Sequence, residues 1–442
     1  MDPDPAGAAP PPEPPQHDPY APLRLASYRR FLGASVLASA GAQMQEVAVG
    51  WELYERTGNA LDLGLVGLAM VLPVLLLAVP AGHAADRYPK KRLILASQSL
   101  MAVASLGLTA LSVFHGPIPL IYAALFAAGV ANAVSMPARW SILRQLVPDH
   151  LVGQAITWNS SGWQVSAVVG PAVAGLLLAR TRSAATVYAL DAAFSVAVLA
   201  LIAGVRPRDV AVLEGRASFQ SLLAGFRFVG SNRLILATIT LDLFAVFLGG
   251  AVALLPVFAK DILQTGPVGL GYLRAAPSVG AALMALTLAH HPPLRRAGPA
   301  LLWAVAGFGL ATIVFGLSRN PVLSFAMLFL TGALDNISVV VRSSLIQFLT
   351  PEAMRGRVAA VNSVFIGSSN ELGGFESGAT ARLLGPVASV VLGGVGTLLS
   401  VALVAAKWPE VARLGRLDDL KAAETEPADA VEALTASASS PL

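Results

Sequence analysis

Apolar residues run along this chain in long blocks separated by short polar stretches. Blocks of about twenty match the thickness of a bilayer's hydrocarbon core. Six are predicted at Phe31–Tyr54, Leu63–Ala85, Leu93–Phe114, Ile118–Ala138, Ile156–Leu178 and Ala184–Val205. After a polar stretch come Leu234–Phe258, Val268–Ala289, Ala300–Leu317, Val322–Val341, Val358–Leu383 and Val387–Ala406. The pattern predicts an all-α membrane protein with about twelve transmembrane helices. Several blocks contain Pro and Gly, which membrane helices tolerate because neighbouring helices re-satisfy the freed backbone groups. Residues 1–27 open on a Pro-rich, acidic stretch with no apolar signal-peptide core and are expected to be a disordered cytoplasmic tail. Residues 28–205 form the first six-helix half, 206–232 a cytoplasmic central loop and 233–410 the second half. Residues 411–442, rich in Ala, Glu and Ser, are expected to be a second cytoplasmic tail, with a short helix near Leu417–Ala423.

Composition agrees with that reading. Of 442 residues 55% are apolar and only 13% charged, about half the charged share of a soluble domain. That is too little charge to cover a water-facing surface. With no cysteine, structural disulfides and thiolate metal sites are excluded. A net charge of +4 does not point to nucleic acid, because the basic residues sit between apolar blocks and build no basic face. Their placement sets orientation instead. With the amino terminus inside, most Lys and Arg fall on the inner side, among them Arg87, Lys90, Lys91 and Arg92. Only Arg56, Arg180, Arg182, Lys260, Arg319 and Arg382 fall outside, and Arg274 lies within a span. The bias places both termini in the cytoplasm and requires an even number of spans.

The two halves repeat. At an offset of 203, Pro148, Gly153, Asn159 and Ser160 match Pro351, Gly356, Asn362 and Ser363, with Asp149 beside Glu352. Gly129, Arg139 and Ser141 match Gly332, Arg342 and Ser344, and Gly170 and Gly175 match Gly373 and Gly378. At an offset of 204, Gly67 and Pro73 match Gly271 and Pro277. Shared membrane composition is the blander explanation, but identities in register over several spans exceed what a Gly- and Ala-rich chain gives by chance. Six spans per repeat make the halves parallel.

The stretch Gly82-His83-Ala84-Ala85-Asp86-Arg87-Tyr88-Pro89-Lys90-Lys91-Arg92 resembles the major facilitator signature between the second and third helices, with Pro89 where that pattern has glycine. Ser221–Phe228 and Thr350–Arg357 resemble the bacterial enterobactin-exporter group of that superfamily, and Ser369–Gly378 a related branch of efflux proteins. The resemblance covers about Tyr28 to Glu410. It implies the major facilitator (MFS) fold, two pseudo-symmetric six-helix halves, and secondary active transport by alternating access. Members of the group export siderophores, macrolides and other compounds. The implied activity is proton-coupled export of amphipathic small molecules across a bacterial inner membrane by a monomer. The implied partners are a small-molecule substrate, a coupling proton and the lipid bilayer. Nutrient import is the alternative on the same fold, and a non-transporting membrane sensor or scaffold is the alternative of another class. Intramembrane charges and the complete signature loop favour transport.

Two residue groups are candidates. The first is an inner gate of Gly82, Asp86, Arg87, Lys91, Arg92, Arg139, Arg342 and Arg357. Gly82 would let a neighbouring helix approach closely. Asp86 would meet the positive amino end of the eleventh helix near Arg357, or pair with Arg139 at the end of the fourth; the competing reading is that this loop only fixes topology. At the matching position of the second half stands His290, so the gate would be asymmetric. The second group is polar residues inside spans, where charge is expensive and faces a cavity or a partner. These are Gln43 and Glu46 on one face of the first helix, Asp242, Arg274, Asn370, Glu371 and Glu376, with Asp335 as a weaker member. Glu371 and Glu376 break the repeat, since Val168 and Val173 are their counterparts. A carboxylate in a cavity changes its proton affinity as the surroundings open to either side, so Glu371 is the first candidate for coupling, Glu46 the second and Asp242 the third. Interhelical ion pairs are the structural alternative for all of them. Trp51, Trp158 and Trp163 read as interface anchors before ligand platforms. No phosphate-binding loop is present, so ATP does not drive transport within this chain. His290-His291 is too weak a pair for a metal site, and no cofactor is expected.

Overall fold

The computed structural model describes residues 18–208, 219–290 and 296–415. Among them there is no strand, and twelve helices make the bundle. The first half holds α1 (Ala26–Thr57), α2 (Ala60–Arg87), α3 (Lys90–Val113), α4 (Ile118–Leu146), α5 (Val152–Thr181) and α6 (Ala184–Ala203). The second holds α7 (Arg233–Leu248, continued by short turns to Ile262), α8 (Gly266–His290), α9 (Ala297–Leu317), α10 (Pro321–Leu349), α11 (Glu352–Leu384) and α12 (Pro386–Lys407). Ten of these helical runs are long and apolar enough to cross a membrane by length and composition. The other two, α1 and α11, are 32 and 33 residues long and carry Glu46, Glu371 and Glu376 within their spans.

The repeat read in the sequence is a repeat of packing. In the first half α1 packs on α5 and α6, α4 on α2 and α3, and α3 on α6. In the second half α7 packs on α11 and α12, α10 on α8 and α9, and α9 on α12. Each pairing has its counterpart six helices on. Gly129 of α4 faces Pro73 and the Met70 carbonyl of α2, and its counterpart Gly332 of α10 faces Pro277 of α8. A side chain at either glycine would collide with backbone or ring, so small residues let the helices approach closely there. Between the halves the main contacts are α2 with α11 and α5 with α8, again exchanged by the repeat.

Even crossing numbers bring residues 18 and 415 to one end of the bundle, the terminal end. The far end carries the loops after α1, α3, α5, α7, α9 and α11. Loop chemistry there is local: Gly58, with φ +63, ends α1, and the Asn59 side chain accepts from Leu61 N–H to cap α2. The buried apolar cluster at the far end mixes both halves, including Val47, Leu53 and Tyr188 with Leu254, Phe258 and Phe315. Toward the terminal end the clusters separate. One, around Tyr28, Ile142 and Ile202, is drawn from residues before 206; the others, around Leu241, Leu345 and Val358, come from the second half with Val229 of the central segment and Val411 after α12. The halves are therefore joined at the far end and parted at the terminal end.

Three expectations about the connecting segments change. Within the expected central loop, Phe219–Ser231 is a helix. It lies on the start of α11, with Phe226 and Phe365 edge to face at 5.6 Å. Residues 18–27 of the expected amino tail are packed: Ala21–Arg24 forms a helical turn, and the Trp158 indole N–H donates to the Pro19 carbonyl. After α12, residues 409–415 fold back so that Ala297 and Gly298 at the start of α9 donate to the carbonyls of Gly415 and Leu414. Apolar anchors missing from a hydropathy reading, Val411 in particular, hold that return. Leu417–Ala423 lies outside the described residues.

Candidate functional site

A cavity of about 320 Å³ lies between the halves beneath the joined far end. Its walls are apolar, with Val66 and Met70 from α2, Phe308 and Phe315 from α9, and Leu328 from α10. Glu46, Arg274, Asp335 and Glu371 bring charge into it, and Asn370 lines it beside Glu371. The Arg274 guanidinium of α8 is ion-paired with the Glu46 carboxylate of α1. This pair joins one half to the other. Glu371 enters from α11, its carboxylate against Gly67 of α2, where an added Cβ would lie 3.0 Å from Oε2. A second chamber of about 230 Å³ continues into the first half and shares Glu46, Val66, Met70 and Glu371 with the first. Glu46 and Glu371 thus stand where the two chambers meet.

The roof over the cavity is built by glycines of the repeat. Gly175 of α5 faces Gly271 and the Pro267 carbonyl of α8, and Gly378 of α11 faces Gly64 and the Ala60 carbonyl of α2. Nearby, the Tyr54 hydroxyl donates to the Asp261 carboxylate, and Lys260 Nζ lies 5.6 Å from the Tyr54 ring centroid. These contacts also cross between the halves.

Of the in-span candidates, Gln43, Glu46, Arg274, Asn370 and Glu371 line the cavities, as does the weaker member Asp335. Asp242 lines neither of the two chambers. It is buried in an ion pair with Arg342 inside the second half. Glu376 also lies apart: it accepts from Thr380 Oγ1 at 2.8 Å one turn along its own helix and lines neither chamber.

The expected inner gate is only partly assembled. Among the described residues nothing lies within 4 Å of a Cβ built on Gly82. The close approach expected there is absent because the halves are apart at this end. Arg139 is not at the helix end. It reaches into the second chamber from two turns inside α4 and donates to Gln98 at 3.3 Å. Its repeat counterpart Arg342 lies buried inside α10, seven residues before the helix ends, and not at an inner gate. Lys91 donates to the carbonyls of Ala203 and Val205 at 2.6 and 2.8 Å, closing the end of α6 where backbone acceptors lack partners. Arg87, Arg92 and Arg357 are exposed. The Asp86 side chain lies outside the described residues.

Sequence reading passed over a polar cluster in the first half. Asp191 of α6 is buried and accepts from Ser105 Oγ at 2.5 Å, and Gln98 donates to Ser195 at 3.0 Å. Asp191, Ser195 and Gln98 all line the second chamber. The repeat held the signal, because the position matching Asp191 is Gly394, the same kind of departure that marks Glu371. Glu52, also missed, accepts from the Tyr188 hydroxyl at 2.9 Å and pairs with Arg56 near the far end.

The Asp242–Arg342 pair makes a stability prediction. Asp242→Asn leaves a buried guanidinium without its countercharge, a loss of about 3–5 kcal/mol for such pairs. The melting temperature in detergent is expected to fall sharply, and the double replacement Asp242→Leu with Arg342→Met to recover most of it. An unchanged melting temperature in Asp242→Asn would show that the pair contributes nothing.

Three comparisons bear on the site. Residues 17–440 match the model of the transmembrane secretion effector family. The enterobactin exporters of Shigella flexneri and of Escherichia coli O157:H7 (strain EC4115 / EHEC) are each 28% identical over 378 residues, spanning 84% of this chain and 89% of theirs. The nucleoside transporter NupG is similar in fold, with a TM-score of 0.68 at 13% identity, covering 86% of this chain and 98% of its own. An inward-facing bacterial homologue of the human lysosomal transporter Spinster gives 0.66 at 14% identity, covering 88% and 97%.

Proposed function

Because the chain belongs to the transmembrane secretion effector family of major facilitator transporters, we propose that it exports siderophore-like amphipathic molecules by alternating access, in exchange for protons. The observation that carries this reading is the central cavity under a joined far end, with an ion pair between the halves at its wall. Rocking of parallel six-helix halves about such a midplane site moves access from one side to the other. Glu371 is the proposed proton carrier. It stands where the two chambers meet, on a helix that also forms the roof. The similarity to enterobactin exporters supports export rather than uptake. Inside-out membrane vesicles with an imposed pH gradient are expected to accumulate enterobactin. Accumulation only in right-side-out vesicles would mean import, and none in either orientation would sink the transport reading.

The Lys and Arg bias supports a terminal end in the cytoplasm. The chain has no native cysteine, so single cysteines report cleanly. Arg319→Cys, at the exposed far-end loop after α9, is expected to react with an impermeant thiol reagent added outside cells. Arg208→Cys, exposed at the terminal end, is expected to react only after permeabilisation. The opposite pattern would invert the topology.

A further inference from the structure

The ionisable groups around the cavities do not balance. The central cavity has three carboxylates, Glu46, Asp335 and Glu371, against the single guanidinium of Arg274. The second chamber adds one of each, Asp191 and Arg139. Two more carboxylates than cations therefore face the shared space. Among the described residues no Lys or Arg forms an ion pair with Glu371 or Asp335. An anion entering here would leave water to meet uncompensated negative charge. A cation would recover in the cavity much of the solvation it loses.

The protein already seats one cation there. Arg274 is a positive group on a flexible stem, placed against Glu46 and sharing the cavity with Phe308 and Phe315. Aromatic faces also attract cations. The Glu46 side chain is 42% exposed and the Arg274 side chain 19%, so the carboxylate remains open to a competitor from the cavity. The pair spans the two halves, so a ligand that takes Glu46 from Arg274 also loosens a tie between them.

We propose that the central cavity takes amphipathic cations, an ammonium, guanidinium or phosphonium head on an apolar body, and that such a ligand displaces Arg274 from Glu46. This rests on the transporter reading and adds a second substrate class to it.

Two ions of nearly the same shape and opposite charge test it. Tetraphenylphosphonium and tetraphenylborate are titrated against the purified full-length protein, with protein-free detergent subtracted. The cation is expected to bind at least about tenfold tighter than the anion, a preference that charge alone gives at an effective dielectric near 20. In Glu371→Gln the cation is expected to lose several-fold in affinity. In Arg274→Gln, where the resident competitor is gone, it is expected to gain several-fold, while Arg274→Lys stays near wild type. Equal affinities for the two ions, or preference for the borate, would overturn the charge selection without any variant having to fold. Weaker cation binding in Arg274→Gln, with the protein still folded, would overturn the displacement. If the phosphonium fails to bind a protein that still accumulates enterobactin in vesicles, this inference falls and the transport reading stands. If neither binding nor accumulation is found, both fall.

Discussion

In proteoliposomes with an imposed pH gradient, Glu371→Gln is expected to lose substrate accumulation down to the level of protein-free vesicles. Exchange of substrate without a gradient should continue. Gln keeps the size and the hydrogen-bonding ability of the side chain but cannot carry a proton. The expectation follows from position. Glu371 lies against Gly67 of α2 and faces the junction of the two chambers. When the far end opens, α2 and α11 must separate there, and the surroundings of the carboxylate change from packed helix to water. A group whose solvation alternates in this way can pick up a proton on one side and release it on the other. Glu46 lacks that freedom while Arg274 holds it. Glu376 is the internal control, since it is bonded to Thr380 and lines neither chamber. Glu376→Gln should retain most of the driven transport. Wild-type accumulation by Glu371→Gln would remove Glu371 as the coupling site and leave Glu46 as the next to test.

The fold was legible because its determinants are local or periodic. A span shows as a run of apolar residues, and the repeat as residues at a fixed offset. The repeat carries packing as well: Gly129, Gly332, Gly175, Gly271 and Gly378 all mark places where helices touch in the folded protein. Glu371 was legible for the complementary reason, being a charge that the repeat does not account for. What stayed hidden depends on partners far apart in the chain. The carboxylate of Asp191 sits in an apolar run that dilutes it in any hydropathy window, and Ser105, which donates to it, is 86 residues away. Asp242 is a charge in an apolar run like the cavity residues, and its partner Arg342 lies 100 positions on. Lys91 read as part of a gate, yet it is engaged by backbone carbonyls at the end of α6. Charge in a sequence gives the need for a partner. Which partner meets it is decided by packing.

Gly175→Val is expected to hold the far end open. In the present arrangement a Cβ on Gly175 would lie 2.6 Å from the Pro267 carbonyl oxygen and 3.1 Å from Gly271 Cα. Those are backbone atoms of α8 and cannot swing aside as a long side chain would. Valine adds two methyl groups beyond that Cβ, so α5 and α8 must part for it to fit. Overpacking of this kind costs about 1–3 kcal/mol. The cost falls only on the state in which the far end is joined, so it shifts the equilibrium between states by about 5- to 150-fold. A cysteine at Val66, on the cavity wall of this otherwise cysteine-free chain, should then react much faster with an impermeant reagent added on the far side. Transport should fall in proportion, since a carrier that cannot close that side cannot complete its cycle. Gly378→Val should behave the same way through Gly64 and the Ala60 carbonyl, 2.9 Å from its added Cβ, because the repeat makes the α2–α11 contact the counterpart of α5–α8. Gly153→Ala is the control: among the described residues nothing lies within 4 Å of a Cβ built there, and reactivity at position 66 should not change. Normal transport together with unchanged labelling in Gly175→Val would mean that these glycines do not form the far-end gate.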